Sequence, residues 1–414
     1  MSAPETRPPL IRRIFREERP AAILLLVSAI LGLVLANTAI GPWLIDLNHR
    51  ELAIPALGID LSVGHWISDL LLAIFFFIVA AELKYELTKG QLNSVRKALV
   101  PAIAAVGGVA VPALIFLALS GGGELARGWP IPTATDIAFA LGVLALFGRG
   151  LPPRLRVFLL ALAVLDDLMG ILFIATIFTD NVGFLALAGA AVGVAAFGAL
   201  SYVLHRSPRL IGLLMLTIAI VTWYLVLQSG VHATIAGVGL GLAMAGKHGT
   251  AVAHHLQPWS NGLILPIFAF SAALVALPEP GTTGPVLLAI AIALPLGKTV
   301  GITLGGVIGA RVARSSTATP VLGWDLVSIA MVGGLGFTVA LLMNQLAFRS
   351  VPEAVDQGVL GVLAGSGISL VLGAALIAWR AKVHRDRVAA GVENVEIDDD
   401  EDGEPDLPPS VTRA

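Results

Sequence analysis

The sequence predicts an all-α polytopic membrane protein with about twelve transmembrane helices, and three observations carry the prediction. Hydrophobic residues make up 57% of the 414-residue chain and charged residues 13%, against about 25% charged in an ordinary soluble domain. Apolar runs of roughly 20 residues, enough to cross about 30 Å of hydrocarbon as helix, recur along almost the whole chain. Threaded through twelve such runs, the 26 lysines and arginines fall 22 on the side of the N-terminus and three on the other, with Lys298 alone left inside a run. Cytoplasmic loops collect basic residues, so both termini are expected in the cytoplasm. One span too few would invert every later loop and scramble that partition.

The elements follow in order. Residues 1–19 form a basic N-terminal segment with Arg7, Arg12, Arg13, Arg16 and Arg19. The first run, 20–37, has no small-residue cleavage site after it and is expected to remain a span. The stretch 40–60, GPWLIDLNHRELAIPALGID, fits a hairpin for contact with a second copy or an ordinary loop equally well. Runs at 62–87 and 98–119 flank a basic loop. The fourth, 131–148, opens on Pro132, Thr133 and Thr135, which weaken a helix just before Asp136. The fifth, 154–178, carries Asp166 and Asp167 at its middle. Runs six to eight lie at 184–203, 209–226 and 230–246, the last two parted only by Gln228, Ser229 and Gly230. The ninth spans 259–277 and the tenth, 285–310, centres on Lys298. GGLGFT, at 333–338, interrupts the eleventh, 325–348, and a twelfth at 358–379 completes a transmembrane domain expected over 20–380. Residues 381–414 read as an acidic, disordered cytoplasmic tail, nine carboxylates between Glu393 and Asp406 accompanying little that could pack. It suits a solubilising end or a regulatory one. Cysteine is absent, which removes disulfides and thiolate metal sites; no cofactor and no nucleic-acid partner is expected.

Ionisable groups inside spans carry the functional signal, since each costs about 2.5–3.5 kcal/mol at a helix centre. Asp136, Asp166, Asp167 and Lys298 must therefore face one another or water. Consecutive helical residues diverge by about 100°, so Asp166 and Asp167 can share a hydrated cavity while presenting different faces to it. Two carboxylates so close repel, and proton uptake belongs to the pair. Oxygen ligands also suit a small hard cation. A site poised between a proton and such a cation is the physical core of cation/proton exchange. Lys298 is expensive as a buried cation without a carboxylate, so pairing with Asp166 or Asp167 is expected. Gly and Pro interruptions in the fourth and eleventh spans predict discontinuous helices. Asp136 near their N-terminal ends and a lysine near their C-terminal ends would offset the dipoles; for Asp136 a liganding and an electrostatic role stand equal. Glu82, Lys84 and Glu86 form an interfacial charge cluster or a cation-attracting funnel. Asp69, earlier in the same span, belongs with that interfacial group, and His232 suits packing better than proton sensing.

The segments FFFIVAAELKYEL, PTATDIAFALGVLALFGR, FLLALAVLDDLMGILFIATIF, SGVHATIAGV, LILPIFAF, PLGKTVGI and GGLGFT, over about residues 60 to 350, resemble the bacterial NhaA-type sodium/proton antiporters. The resemblance implies a secondary transporter, not an enzyme, in a bacterial inner membrane. It implies an inverted-repeat fold, spans three to five against ten to twelve, with two crossed discontinuous helices at spans four and eleven. Asp167 would be the main ligand for Na⁺ and the proton carrier, Asp166 its neighbour, Lys298 the partner of Asp166, and Thr135 and Asp136 supporting residues. One Na⁺ or Li⁺ would leave for two entering protons, serving sodium and pH homeostasis, with membrane lipid and a homodimer as the implied partners.

Departures from the family pattern fall outside this centre. Tyr85 stands where an arginine is common, Ala253 where a glutamate, Gln257 where a histidine and Ala272 where an asparagine. The first three predict a weaker or displaced pH threshold. An intramembrane aspartyl protease is disfavoured, because neither LDD nor TATD supplies its Gly-x-Gly-Asp context and Lys298 would have no role. A sodium-coupled solute symporter of related broken-helix fold is the alternative, although only Thr135 and Thr338 would line its crossing.

Overall fold

A computed structural model describes residues 18–90, 92–177, 183–203, 208–279, 281–313, 321 and 323–390, without the side chains of residues 18, 167, 168, 171–177, 203, 208 and 247. Among the described residues the fold is helical, apart from two isolated antiparallel bridges, Glu51 with Ser62 and Ile54 with Ile59. The helices are α1 (Glu18–Ala36), α2 (Gly41–His49), α3 (Val63–Thr88), α4 (Val95–Leu119), α5 (Ile137–Phe147), α6 (Pro153–Ile177), α7 (Phe184–Val203) and α8 (Pro208–Gln228). They continue as α9 (Thr234–Ala243), α10 (Gly246–Trp259), α11 (Leu265–Ala272), α12 (Pro285–Ala313), α13 (Trp324–Val332), α14 (Phe337–Ala347) and α15 (Pro352–Ala389).

Seven of these are long and apolar enough to cross a membrane. Two bent pairs raise the number to nine: Gly123–Thr133 with α5, at 42°, and α13 with α14, at 51°. The other three expected spans are helical but depart from expectation in detail. α6 lies where the fifth was expected. The eighth shortens to the ten residues of α9, because Gly230 turns back at φ +77° and Met244 is already extended. The ninth starts early, α10 running through a π turn at Ser260–Ile264 into α11. α15 continues to Ala389, so residues 381–389, expected to open the tail, lengthen the last helix. Residues 1–17 and 391–414 lie outside the described residues. The stretch 40–60 resolves into α2 and a small antiparallel turn.

Hydrogen bonds between loops test the parity of the threading. At one end Arg19 Nε donates to the Ala145 carbonyl (3.1 Å), Lys84 Nζ to that of Met244 (2.6 Å) and Arg385 to that of Arg149. At the other end Asn37 Nδ2 donates to Val275 O (3.0 Å), the Tyr224 hydroxyl to Leu57 O (2.7 Å), and Val286 N to Gln357 Oε1 (3.2 Å). Each bond joins loops that twelve crossings put on the same side. The start of α1 and the end of α15 therefore share one end of the bundle, together with the basic loops.

The centre of the bundle is the antiparallel pair α4 and α12. Lipid gives helices no hydrophobic drive to associate, so close backbone approach over small residues must supply the packing. α12 presents a glycine every fourth residue. A Cβ at Gly297 would meet Pro112 Cα at 2.7 Å, at Gly301 would overlap the Gly107 carbonyl, at Gly305 would meet Ala104 Cα at 2.8 Å, and at Gly309 Val100 Cα at 3.0 Å. The two broken spans pack beside this pair, with Phe75, Phe139, Leu159, Ile329 and Leu335 in one buried apolar cluster around them.

Candidate functional site

The fourth span breaks where the sequence expects it. Pro132 cannot donate to a helix and disfavours helical backbone before it. After the short turn Ile131–Thr133 the chain is extended at Ala134 and Asp136. The Asp136 N–H donates to Leu335 O at 2.5 Å, which ties this break to the one in the eleventh span. Its side chain caps α5, accepting from Phe139 N at 3.3 Å. The other oxygen accepts from Thr338 N (3.3 Å) and the Thr338 hydroxyl (2.5 Å), in the first turn of α14. One buried carboxylate thus sits at two helix N-termini, whose partial positive charge it offsets. With both oxygens engaged, this geometry favours the electrostatic role for Asp136.

Lys298 follows a π turn, Ala293–Gly297, with Pro295 inside it. Such one-turn expansions recur at functional positions because they re-aim the next side chain. Lys298 is fully buried and pairs with Asp166, itself 3% exposed. The ammonium also donates to Thr135 Oγ1 at 2.9 Å, and the Thr135 hydroxyl donates to Gly333 O at 2.9 Å. This relay connects the ion pair to the C-terminal end of α13, as the dipole argument anticipated for the lysine. Asp166 Oδ1 is buried and accepts no hydrogen bond among the described residues. A carboxylate oxygen in that condition is a ready ligand for a hard cation or a proton. Asp167 follows Asp166 on α6; its side chain lies outside the described residues.

Cavities approach the crossing from both ends. From the end bearing the basic loops, one of about 70 Å³ is lined by Glu82, Arg156, Gln257, Ala138 and Gly142. Glu82 thus stands where a funnel would need it. Glu86 does not line this cavity; its carboxylate folds back over Gly90. From the opposite end, a cavity of about 170 Å³ runs past His49, His65, His232 and Gln345 to Thr338, the residue that donates to Asp136. Asp69 is buried on a π turn, 3.0 Å from His232 Nδ1, with its carbonyl taken by Trp223 Nε1 at 2.9 Å. Its carboxylate is buried beside His232, and 13 residues of helix, about 20 Å, separate it from the group at Glu82, Lys84 and Glu86.

Sequence reasoning missed three features here: the donation from Thr338, the carbonyls of Gly333 and Leu335, and the Asp69–His232 pair. GGLGFT signalled the first two, since glycines that end one helix beside a threonine that starts another must leave backbone groups to be satisfied. Nothing local signalled the third.

Residues 12–377 match the family model described as Na⁺/H⁺ antiporter 1. The chain is 53% identical over 406 residues to the Na⁺/H⁺ antiporter NhaA 2 of Clavibacter michiganensis subsp. michiganensis strain NCPPB 382, covering 95% of this chain and 97% of that one. It is 44% identical over 365 residues to the Na⁺/H⁺ antiporter NhaA of Tropheryma whipplei strain Twist (87% and 93%). The NhaA of Streptomyces avermitilis is 41% identical over 423 residues (98% and 88%). Among solved structures, the electron-microscopy map of the sodium proton antiporter MjNhaP1 from Methanocaldococcus jannaschii superposes on 88% of this chain and 91% of its own at TM-score 0.52, with 16% identity, a likeness of fold. None of these likenesses supports the solute symporter, and on the strength of the first two the chain belongs to the Na⁺/H⁺ antiporter 1 family.

Proposed function

We propose that this protein exchanges Na⁺ for H⁺ at Asp166 and Asp167, and the buried Asp166–Lys298 pair is the observation that carries the reading. Two charges this deep are tolerable only together, and removing the compensation of either is costly. The pair therefore opens productively when something positive replaces Lys298 at the carboxylate. A proton on Asp166 does so, and so does a desolvated Na⁺ that takes the open Asp166 Oδ1 together with Asp167. The two occupants compete for the same oxygens, which couples their fluxes. Thr135 keeps Lys298 hydrogen-bonded throughout, and Asp136 holds the two half-helix N-termini at neutral cost. Two protons entering for each Na⁺ or Li⁺ leaving would move one net positive charge inward, so the carrier would be electrogenic and driven by the proton-motive force. The basic loops, gathered at the end that holds the start of α1 and the end of α15, support a cytoplasmic placement of that end in a bacterial inner membrane. A homodimer in lipid completes the proposal.

The test is the pH gradient of everted vesicles from a host lacking its own antiporters, challenged with NaCl, LiCl or KCl. Wild type should collapse the gradient on Na⁺ or Li⁺, and Asp167→Asn should not. No cation response from protein shown to be folded in the membrane would defeat the reading.

A further inference from the structure

α13 serves the site through backbone alone. Gly333 and Leu335, just past its last residue, supply the carbonyls that receive the Thr135 hydroxyl and the Asp136 N–H. A carbonyl cannot be re-aimed by a rotamer change, so the placement of the whole nine-residue helix sets the crossing. Gly323, at φ +62°, precedes it and offers no side chain to fix its angle.

The far end of α13, about 12 Å from the crossing at 1.5 Å per residue, is held by a polar cluster that has no part in ion binding. Asp325, in the first turn, accepts from Arg380 Nε at 2.7 Å, and His384 Nε2 lies 3.1 Å from each of its oxygens. Arg380 Nη2 is also 3.3 Å from His384 Nε2. That nitrogen cannot donate to the carboxylate and accept from the guanidinium at once, so the arrangement is two donors converging on one carboxylate. Asp325 and Arg380 are each 8% exposed and His384 1%. Trp324 packs edge-on against Trp379 at 5.5 Å, and the guanidinium lies 5.5 Å from the Trp379 ring. Exposed ion pairs do little, but a buried carboxylate with two donors from another helix fixes a geometry.

We infer that Asp325, Arg380 and His384 are positioning residues for exchange: they clamp the end of α13 away from the crossing to α15, and so keep Gly333 and Leu335 on Thr135 and Asp136. This rests on the antiporter reading of the site. With the clamp released α13 tilts, Lys298 loses the backing of Thr135, and the cation site loses its shape before the turnover steps fail.

The test measures the apparent KM for Na⁺ and the maximal rate in everted vesicles, beside the amount of folded protein. Asp325→Asn should raise KM about fivefold or more with the maximal rate within twofold, and Asp325→Glu should restore it. A wild type that does not respond to Na⁺ would count against the antiporter reading itself and not against the clamp. Because the chain has no cysteine, Asp325→Cys with Arg380→Cys can be joined by a short bis-methanethiosulfonate reagent, each thiolate displacing a sulfinate to form a reducible disulfide. Joining should return KM toward wild type and reduction should raise it again, in one folded protein. An unchanged KM in both sets of variants, or a joined protein that cannot exchange, would overturn the clamp.

Discussion

The two halves that meet at the crossing are differently equipped. The half from α4 to α6 brings the acids Asp136 and Asp166 and the Thr135 hydroxyl. The half from α12 to α15 brings Lys298, the Thr338 donors and two backbone carbonyls. Each half alone would leave its polar groups unsatisfied in lipid, where every unpaired group costs several kcal/mol. The difference teaches that the ion pair and the breaks form one device: the acids of one half are tolerated because the other half supplies donors at the same depth. The peripheral α7–α8 pair is the contrast, with Leu185, Leu210 and Val192 facing outward and no carboxylate within it.

The largest effect should come from unbalancing the halves. Asp166→Ala with Lys298 retained takes from the buried lysine the carboxylate it pairs with, which should lower stability to unfolding in detergent by about 3–5 kcal/mol and abolish exchange. Adding Lys298→Met should recover most of the stability and none of the exchange. If the double variant is no more stable than the single, the compensation argument fails.

Next comes the contact that holds the halves together. Gly301→Val forces a side chain into the Gly107 carbonyl and should cost roughly 1–3 kcal/mol or more, read as loss of monodisperse protein and a lower melting temperature. Gly212→Ala, in the peripheral pair with nothing within 4 Å, should change stability by about 1 kcal/mol or less and leave exchange alone. Equal effects at the two glycines would remove the distinction between centre and periphery.

Thr338→Val removes one donor from Asp136 while keeping the N–H, a loss of about 1.5–3 kcal/mol for a bond to a charged group. It should appear as a lower melting temperature and weaker Na⁺ response, with Thr338→Ser close to wild type. The smallest expected effect concerns regulation. Tyr85 is exposed, Ala253 is buried and Gln257 lines the cavity at the basic end, so the pH profile of exchange should be shallower than a sharp alkaline switch; a steep switch would show that these positions do not set it.

Much of this was legible in the sequence because lipid simplifies the code. Apolar runs placed α1, α3, α4, α7, α8, α12 and α15, and Asp136, Asp166 and Lys298, charges inside runs, are brought to the crossing. Pro132 and GGLGFT marked both breaks, since a helix that loses backbone bonds in lipid must find partners nearby. What stayed hidden depends on who faces whom. Asp325, Arg380 and His384 look like ordinary interfacial charges until the fold buries them together, and Asp69 meets His232 only when α3 packs beside α9. The π turn before Lys298 has no local signature beyond Pro295. The length of α9 was overestimated because apolar composition continues past the point where Met244 leaves the helix.

Proton release on Na⁺ binding, followed with a pH indicator in purified protein at low buffer, is the most direct test of the competition at the centre. Wild type should release protons as Na⁺ is added, saturably, and the variant carrying both Asp166→Asn and Asp167→Asn should release none. Saturable Na⁺ binding with no proton released by wild type, or the same release by the double variant, would contradict the account.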